Sequence, residues 1–328
     1  MTHDKMMAAP KIIRDFLVYS ESIRSKATTS VDEYYFDLTT FFRFIKVHFG
    51  ICEKNNNIKE ISIDDIDEEI VKRITLYDIH SFLVFCKQEL GNSAATRARK
   101  ASTIRIFFKY LMNQAHIIDS NPAELLETPK MAKTLPKHLT LEDSINLLEA
   151  VDGKNSDRDF CILTIFLNCG LRLSELCSLN VNDVRGDKMI VTGKGNKQRV
   201  VYINSATRDS IDAYLPHRSI EGVKGDDRNA LFISRNKRRI SPKTVQHIVY
   251  TLLDKAGLSG MGLSTHKLRH TAATLMYQQG HVDVRTLQVI LGHENLGTTQ
   301  IYTHVSDAQA EQAVESNPLS KIKRKPNR

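Results

Sequence analysis

Long apolar runs are missing from this chain of 328 residues. None approaches the ~20 residues that a bilayer-spanning helix needs. Residues 1–10 lack the basic start and apolar core of a secretory signal, so the expected location is the cytoplasm. Cysteine is scarce and unpatterned. Cys52, Cys86, Cys161, Cys169 and Cys177 contain no C-x-x-C pair, and an odd, widely spread set argues against a disulfide framework or a structural zinc site. Three of them fall in or beside an apolar helical stretch, where cysteine acts as a small core residue. The phosphate-cradling pattern G-x-x-x-x-G-K-[ST] is absent, as is H-E-x-x-H. Asp152, Asp157 and Asp159 fit no calcium-loop spacing and read as turn or cap residues near helix starts. No repeat or low-complexity segment stands out.

What is present is a globular composition, 41% hydrophobic and 26% charged, with a net charge of +8. A basic balance suits an anionic partner, because basic surfaces neutralise phosphates and release counterions. Many basic proteins bind no nucleic acid, so charge alone does not name the partner.

The first part of the chain reads as helices. Ile12, Ile13, Phe16 and Leu17 recur at helical spacing in 11–23, as do Tyr34, Leu38, Phe41, Phe42 and Ile45 in 30–48. Polar residues Asn55 to Asn57 and the acidic stretch 64–69 interrupt the pattern, which returns over 75–90 and 94–114. The last of these helices carries Arg97, Arg99 and Lys100 in its first turns, then Ile104, Phe107, Phe108 and Leu111 at core spacing. Its basic end reads either as a DNA-backbone contact or as a solvated helix face. Residues 129–139, with Pro129, Pro136, Lys130, Lys133 and Lys137, read as a linker. That gives a helical domain over 1–128, a second domain over 140–315 and a basic tail over 316–328.

In the second domain Thr140 is the expected N-cap of a helix, and an apolar helix over 158–168 ends at Gly170 as C-cap. Strands are expected at 188–192 and 199–203, joined by Gly193-Lys194-Gly195-Asn196-Lys197. A third strand is expected at 231–234. Helical patterns follow from Pro242 to Leu258, over 265–279 and over 284–291.

Four segments here concentrate polar residues. In Gly170-Leu171-Arg172-Leu173-Ser174-Glu175-Leu176, Glu175 lies three residues after Arg172, within reach on a helical face. The guanidinium fork suits a phosphate oriented by the carboxylate; a surface ion pair worth ~0–1 kcal/mol is the plainer reading. Lys194 at the glycine-flanked turn suits reaching into a groove, or is an ordinary solvated lysine. In Thr265-His266-Lys267-Leu268-Arg269-His270, His266 and Arg269 share a helical face. Together they supply a bidentate donor and a second donor for an anion, whereas Lys267 between the histidines spoils a metal site. His270 reads as a structural core histidine. Finally, Leu291-Gly292-His293 precedes Tyr302 in Ile301-Tyr302-Thr303-His304-Val305. Taken singly, His293 reads as a helix-end residue and Tyr302 as a packed core tyrosine with its hydroxyl satisfied.

Taken in order, these segments resemble the tyrosine recombinase family, most closely its Xer-type branch. The wording that carries the likeness is Gly-Leu-Arg-Leu-Ser-Glu-Leu, Gly-Lys-Gly-Asn-Lys-Gln-Arg, His-Lys-Leu-Arg-His-Thr, Leu-Gly-His and Tyr-Thr-His. The resemblance implies a mainly α fold with a small β-sheet, as a two-domain clamp on duplex DNA. It implies a site-specific recombinase that breaks and rejoins DNA through a 3′-phosphotyrosyl intermediate and a Holliday junction, in chromosome dimer resolution or mobile-element integration and excision. Tyr302 would be the nucleophile; Arg172, Arg269, His266 and His293 would hold the phosphate; Lys194 would be the general acid; Glu175 would support the arrangement. No metal or other cofactor is implied. Arg97, Lys100, Arg239 and Lys243 would contact the DNA. The partner would be duplex DNA, bound by a homotetramer or heterotetramer on two sites, with residues 307–319 docking on a neighbouring subunit.

Three other readings compete. A type IB topoisomerase shares the tyrosine chemistry, although the motif wording favours the recombinase. A non-catalytic DNA-binding regulator would have no need of Tyr302. A metal-dependent nuclease or transposase would have to use Asp152, Asp157 and Asp159, whose spacing does not suit it.

Overall fold

Aromatic residues at helical spacing build the first half of the protein. In the computed structural model the described residues are 6, 9–23, 28–53, 57–128, 137–280 and 282–292. The chain divides into two units, Met1–Lys133 and Thr134–Arg328. In the first, α1 (Lys11–Ser22) buries Ile12, Ile13, Phe16 and Leu17. α2 (Thr28–His48) buries Leu38, Phe41, Phe42 and Ile45. The end of the acidic stretch opens the short α3 (Glu68–Lys72), capped by the Asp67 side chain. α4 (Leu76–Gln88) begins with a capping box in which Thr75 and Asp78 exchange hydrogen bonds. α5 (Ala94–Asn113) starts at the N-cap Ser93 and buries Ile104, Phe107, Phe108 and Leu111. The core is a cluster of rings, Phe16 on Phe107 at 5.3 Å, Phe41 on Phe82 at 5.1 Å and Phe42 on Phe107 at 5.7 Å. Burying each such side chain contributes about 1.5–3 kcal/mol.

One candidate DNA contact in this unit is held inside the fold. Lys100, proposed from the sequence as a DNA contact, is buried, and its Nζ donates to Asp37 Oδ1 at 3.0 Å. Arg99 and Thr103 donate to Asp37 Oδ2 at 2.6 and 2.9 Å. Asp37 is itself only 1% exposed, so Lys100 serves a buried carboxylate and cannot leave it cheaply. Arg97 is half-buried.

In the second unit, Thr140 and Asp143 form a capping box for α6 (Leu141–Glu149). Leu139, placed in the expected linker, belongs to this core; it is fully buried and its N–H donates to Thr271 Oγ1. α7 (Ser156–Cys169) is buried over most of its length and ends at Gly170, whose φ of 59° is the left-handed cap. α8 (Leu173–Ser178) follows at once. β1 (Val184–Arg185), β2 (Lys188–Thr192) and β3 (Gln198–Tyr202) then form an antiparallel sheet in that order. The β2–β3 turn closes through Gly193 N–H to Lys197 O at 2.8 Å, with Gly195 and Asn196 both at positive φ. Its register pairs Val191 with Arg199 and Met189 with Val201, which puts all four on one face. α9 (Ser205–Tyr214), α10 (Pro242–Lys255), α11 (Thr265–Gln278) and α12 (Val284–Leu291) complete the unit.

The third strand is Val184–Arg185, not the expected 231–234. Leu231, Phe232 and Ile233 are buried without alternation. The chain turns back at once, with Ser234 N–H bonded to Arg238 O and Ile240 N–H to Phe232 O, so only isolated bridges form. The thiols of Cys86, Cys161, Cys169 and Cys177 are buried. Burial pushes Cys161 up to about 12 and the other three to about 11. Among the described residues no helix is long and apolar enough to cross a membrane.

The Asp37 cluster generates a prediction. Asp37→Ala leaves Lys100 buried without its counter-charge and destabilises the first unit by about 3–5 kcal/mol. Urea denaturation of the full chain, followed by circular dichroism, reads this as an earlier transition; an unchanged midpoint would contradict it.

Candidate active site

Two apolar helices end on left-handed glycines, and the carbonyl groups at these ends meet the charged side chains. α7 ends at Gly170 and α12 at Gly292, with φ of 59° and 63°. Arg269, on α11, is 2% exposed, and its Nη1 and Nη2 donate to Gly170 O and Leu291 O, each at 2.6 Å. Arg172 is the N-cap residue of α8. Its Nη2 donates to Gly292 O at 3.0 Å and its Nη1 to Glu175 Oε1 at 2.7 Å. A carboxylate at the third helical position also reaches back to the N-terminal N–H groups, and Glu175 Oε2 accepts from the Arg172 backbone N–H at 2.8 Å.

Glu175 gathers more cations than its neighbour in sequence. Arg199 on β3 donates Nη1 to Oε1 at 2.8 Å and Nη2 to Oε2 at 3.0 Å, a side-on fork. Arg269 Nη1 lies 3.9 Å from Oε2. Burial alone would raise the Glu175 pKa. The bonds from Arg199 and the Arg172 backbone and side chain overcome it, and hold the carboxyl at about 2. His266, one turn before Arg269 on the same face of α11, completes the cluster at the surface. Surrounding protein, then the charges of Arg269, Lys267 and Arg172, lowers its pKa below the ordinary 6.5. Its Nε2 is 3.1 Å from His270 Nε2, so one ring donates and the other accepts; His270 is buried.

The fold thus brings together Arg172, Glu175, His266 and Arg269 from the sequence-derived set. Lys194 lies in the β2–β3 turn. Its side chain, His293 and Tyr302 lie outside the described residues, although Gly292, immediately before His293, is part of the cluster. Arg199 was not singled out in the sequence. Its signal is the strand alternation that places it two residues before the buried Val201, because an arginine on an inward face requires a buried anion.

Away from the cluster, Arg239 is bonded within the fold. Its guanidinium donates to Ser178 O, Leu179 O and Asn180 Oδ1 at 2.9, 3.0 and 2.7 Å. It satisfies carbonyl groups at the end of α8. Lys243, in the first turn of α10, is exposed. Asp152, Asp157 and Asp159 pair separately with Lys255, His217 and Arg158, and the last two acids occupy the first turn of α7. Among the described residues no group of three His, Cys, Asp or Glu side chains is placed to hold a metal ion.

A helical scaffold that presents an Arg–Glu pair and a His-x-x-Arg pair beside a glycine-capped helix end defines a tyrosine recombinase, and the chain belongs to that family. Residues 137–309 match the model of the phage integrase family. The chain is 47% identical over 311 residues to the tyrosine recombinase XerC of Caldanaerobacter subterraneus subsp. tengcongensis, covering 95% of this chain and 88% of that protein. It shares its fold with the XerH site-specific recombinase in a pre-cleavage complex with difH, with a TM-score of 0.65, 23% identity and coverage of 93% and 84%. A lambda integrase tetramer bound to a Holliday junction aligns with a TM-score of 0.63, 16% identity and coverage of 90% and 79%. The protein is accordingly an enzyme of site-specific DNA recombination.

The depressed Glu175 pKa has a pH consequence with a definite sign. A carboxyl lowered from 4.5 to about 2 on folding contributes its stability above pH 4.5, and that stability is lost as the pH falls towards 2. The difference corresponds to about 3 kcal/mol. Glu175→Gln is expected to be less stable than wild type at pH 7, because three guanidinium groups lose their counter-charge, and to lose less stability between pH 4.5 and 2. Urea unfolding at a series of pH values checks both; parallel pH profiles for the two proteins would contradict the assignment.

Proposed function

We propose that this protein breaks and rejoins duplex DNA at a specific site, with Tyr302 as nucleophile. The observation that supports this best is the convergence of Arg172 and Arg269 on one buried carboxylate, with His266 close enough to feel the charge of both guanidinium groups. Fixed donors of this kind suit the charge that builds on a phosphate under attack. The Tyr302 hydroxyl oxygen attacks the scissile phosphorus in line, and the bond to the 5′ oxygen breaks. One phosphodiester replaces another, so the energy of the bond is kept and religation needs no cofactor. Arg172 and Arg269 hold the non-bridging oxygens. Arg172 is 41% exposed on its side chain, which leaves further N–H donors of its fork facing outward.

His266, neutral near pH 7 because its pKa is lowered, accepts the tyrosine proton and, once protonated, donates that hydrogen to the phosphate. His293 adds another, and Lys194 protonates the leaving 5′ oxygen. Glu175 holds Arg172 from behind. The freed 5′ hydroxyl then attacks the phosphotyrosine of a partner strand, and exchange proceeds through a Holliday junction. Four subunits, of this chain alone or with a related one, work on two DNA sites in the cytoplasm. The neighbour that forms a tetramer on such a junction supports that assembly. Residues 307–319, the docking segment of the resemblance, lie outside the described residues. Arg97 and Lys243 are proposed DNA-backbone contacts.

The test begins with DNA trapped covalently on the protein in cells and sequenced to reveal the site. A nicked duplex carrying that site is expected to give a covalent protein–DNA band on a denaturing gel, also in excess EDTA. Tyr302→Phe gives none, and Arg172→Ala slows formation of the band by about 10²–10³, or about 2.7–4 kcal/mol. A band persisting in Tyr302→Phe, or a normal rate in Arg172→Ala, would overturn the reading.

A further inference from the structure

We infer that Arg199 is a positioning residue for the cleavage step, acting through Glu175 and Gly292 to fix the orientation of Arg172; this rests on the role proposed above for Arg172. The inner face of the sheet is otherwise apolar, with Met189 and Val191 fully buried and Val201 2% exposed. Arg199 shares that face through its pairing with Val191, and its side chain is 17% exposed. A guanidinium in such a place costs several kcal/mol unless it is paired. Apolar residues of similar volume would serve a core that exists only for stability equally well.

What Arg199 touches explains its presence. Both of its Nη groups lie on the Glu175 carboxylate. Its Cδ and Nε lie directly under Gly292, where a Cβ would meet them at 2.9 Å each. The fork of Arg172 rests on the same two anchors, Glu175 Oε1 and Gly292 O. One side chain therefore backs both acceptors that aim Arg172. It also belongs to the strand that follows the Lys194 turn, five positions further along the chain, and its backing of Gly292 ties that strand to the segment that leads into His293. Arg199 is covered by protein and engaged on Glu175, so it acts through these groups and not on the phosphate. Gly292 is constrained for the same reason. Besides its φ of 63°, any side chain there would displace the arginine.

The experiment uses the full chain and the nicked duplex obtained by covalent trapping. Arg199→Met is expected to slow single-turnover formation of the covalent adduct by about 10- to 100-fold, with the dissociation constant for the duplex within about threefold of wild type. Arg199→Lys, which keeps the charge and loses the fork, is expected to recover part of the rate. Because both groups act through one contact, the Glu175→Gln/Arg199→Met double variant is expected to be no slower than the slower single variant. The inference is overturned if Arg199→Met cleaves within about threefold of wild type, if the whole loss appears in DNA affinity, or if the two losses multiply. Should Arg199→Met fail to fold, Arg199→Lys decides: slower cleavage at unchanged affinity supports the role, and a wild-type rate removes it. Absence of any Tyr302 adduct in the wild-type protein would instead sink the reaction itself, so the two failures are distinguishable.

Discussion

Glu175 is almost inaccessible to solvent and faces the guanidinium groups of Arg172, Arg199 and Arg269, more positive charge than one carboxylate neutralises. A fold selected for stability alone gains little from such a group, since buried ion pairs roughly break even against apolar packing. The arrangement makes physical sense as a device that stores unbalanced positive charge at a fixed place. Glu175 stays ionised far below neutral pH, so the arrangement is already set before any anion arrives. Donors fixed in advance need no reorganisation when charge develops on a bound phosphate.

The rest of the unit follows from this constraint. The arginines need acceptors for the N–H groups that do not face Glu175, and the ends of α7 and α12 supply them. A helix leaves its last carbonyl groups without internal partners. Here Gly170 O and Leu291 O take the Arg269 fork, and Gly292 O takes Arg172. Positive φ at both glycines turns the chain sharply enough for this. At Gly170 a side chain would also run into Leu291, with a Cβ only 2.8 Å from its Cδ2. Helix termination, normally a local matter, is thus coupled to the charge cluster. The apolar packing of α7 and α12 then holds the cluster rigid from behind.

Much of the fold was legible in the sequence, and the exceptions have physical causes. α1, α2, α4 and α5 match the expected ranges within two residues, because Phe and Leu recur at helical spacing, whereas α3 forms where the acidic stretch was read as an interruption. α9 escaped notice because only Ile211 and Tyr214 mark an apolar side in a stretch of polar and charged residues. Leu231 to Ile233 was misread because a short apolar run has no period of its own. Lys100 looked like part of a basic helix face, since Asp37 lies 63 residues away and no local pattern reveals it. Of the site, Arg172, Glu175, His266 and Arg269 were legible from their motifs. Arg199 stands in one of those motifs, yet its role depends on strand register and on a partner from another element, which the motif text does not carry.

The most direct measurement is a crystal structure of the protein bound to its DNA site before cleavage. The account predicts that Arg172 and Arg269 both lie at about 2.7–3.1 Å from oxygens of one phosphate, while Arg199 remains forked on Glu175. Arg172 and Arg269 on different phosphates, or Arg199 released from Glu175 to contact the DNA, would contradict it.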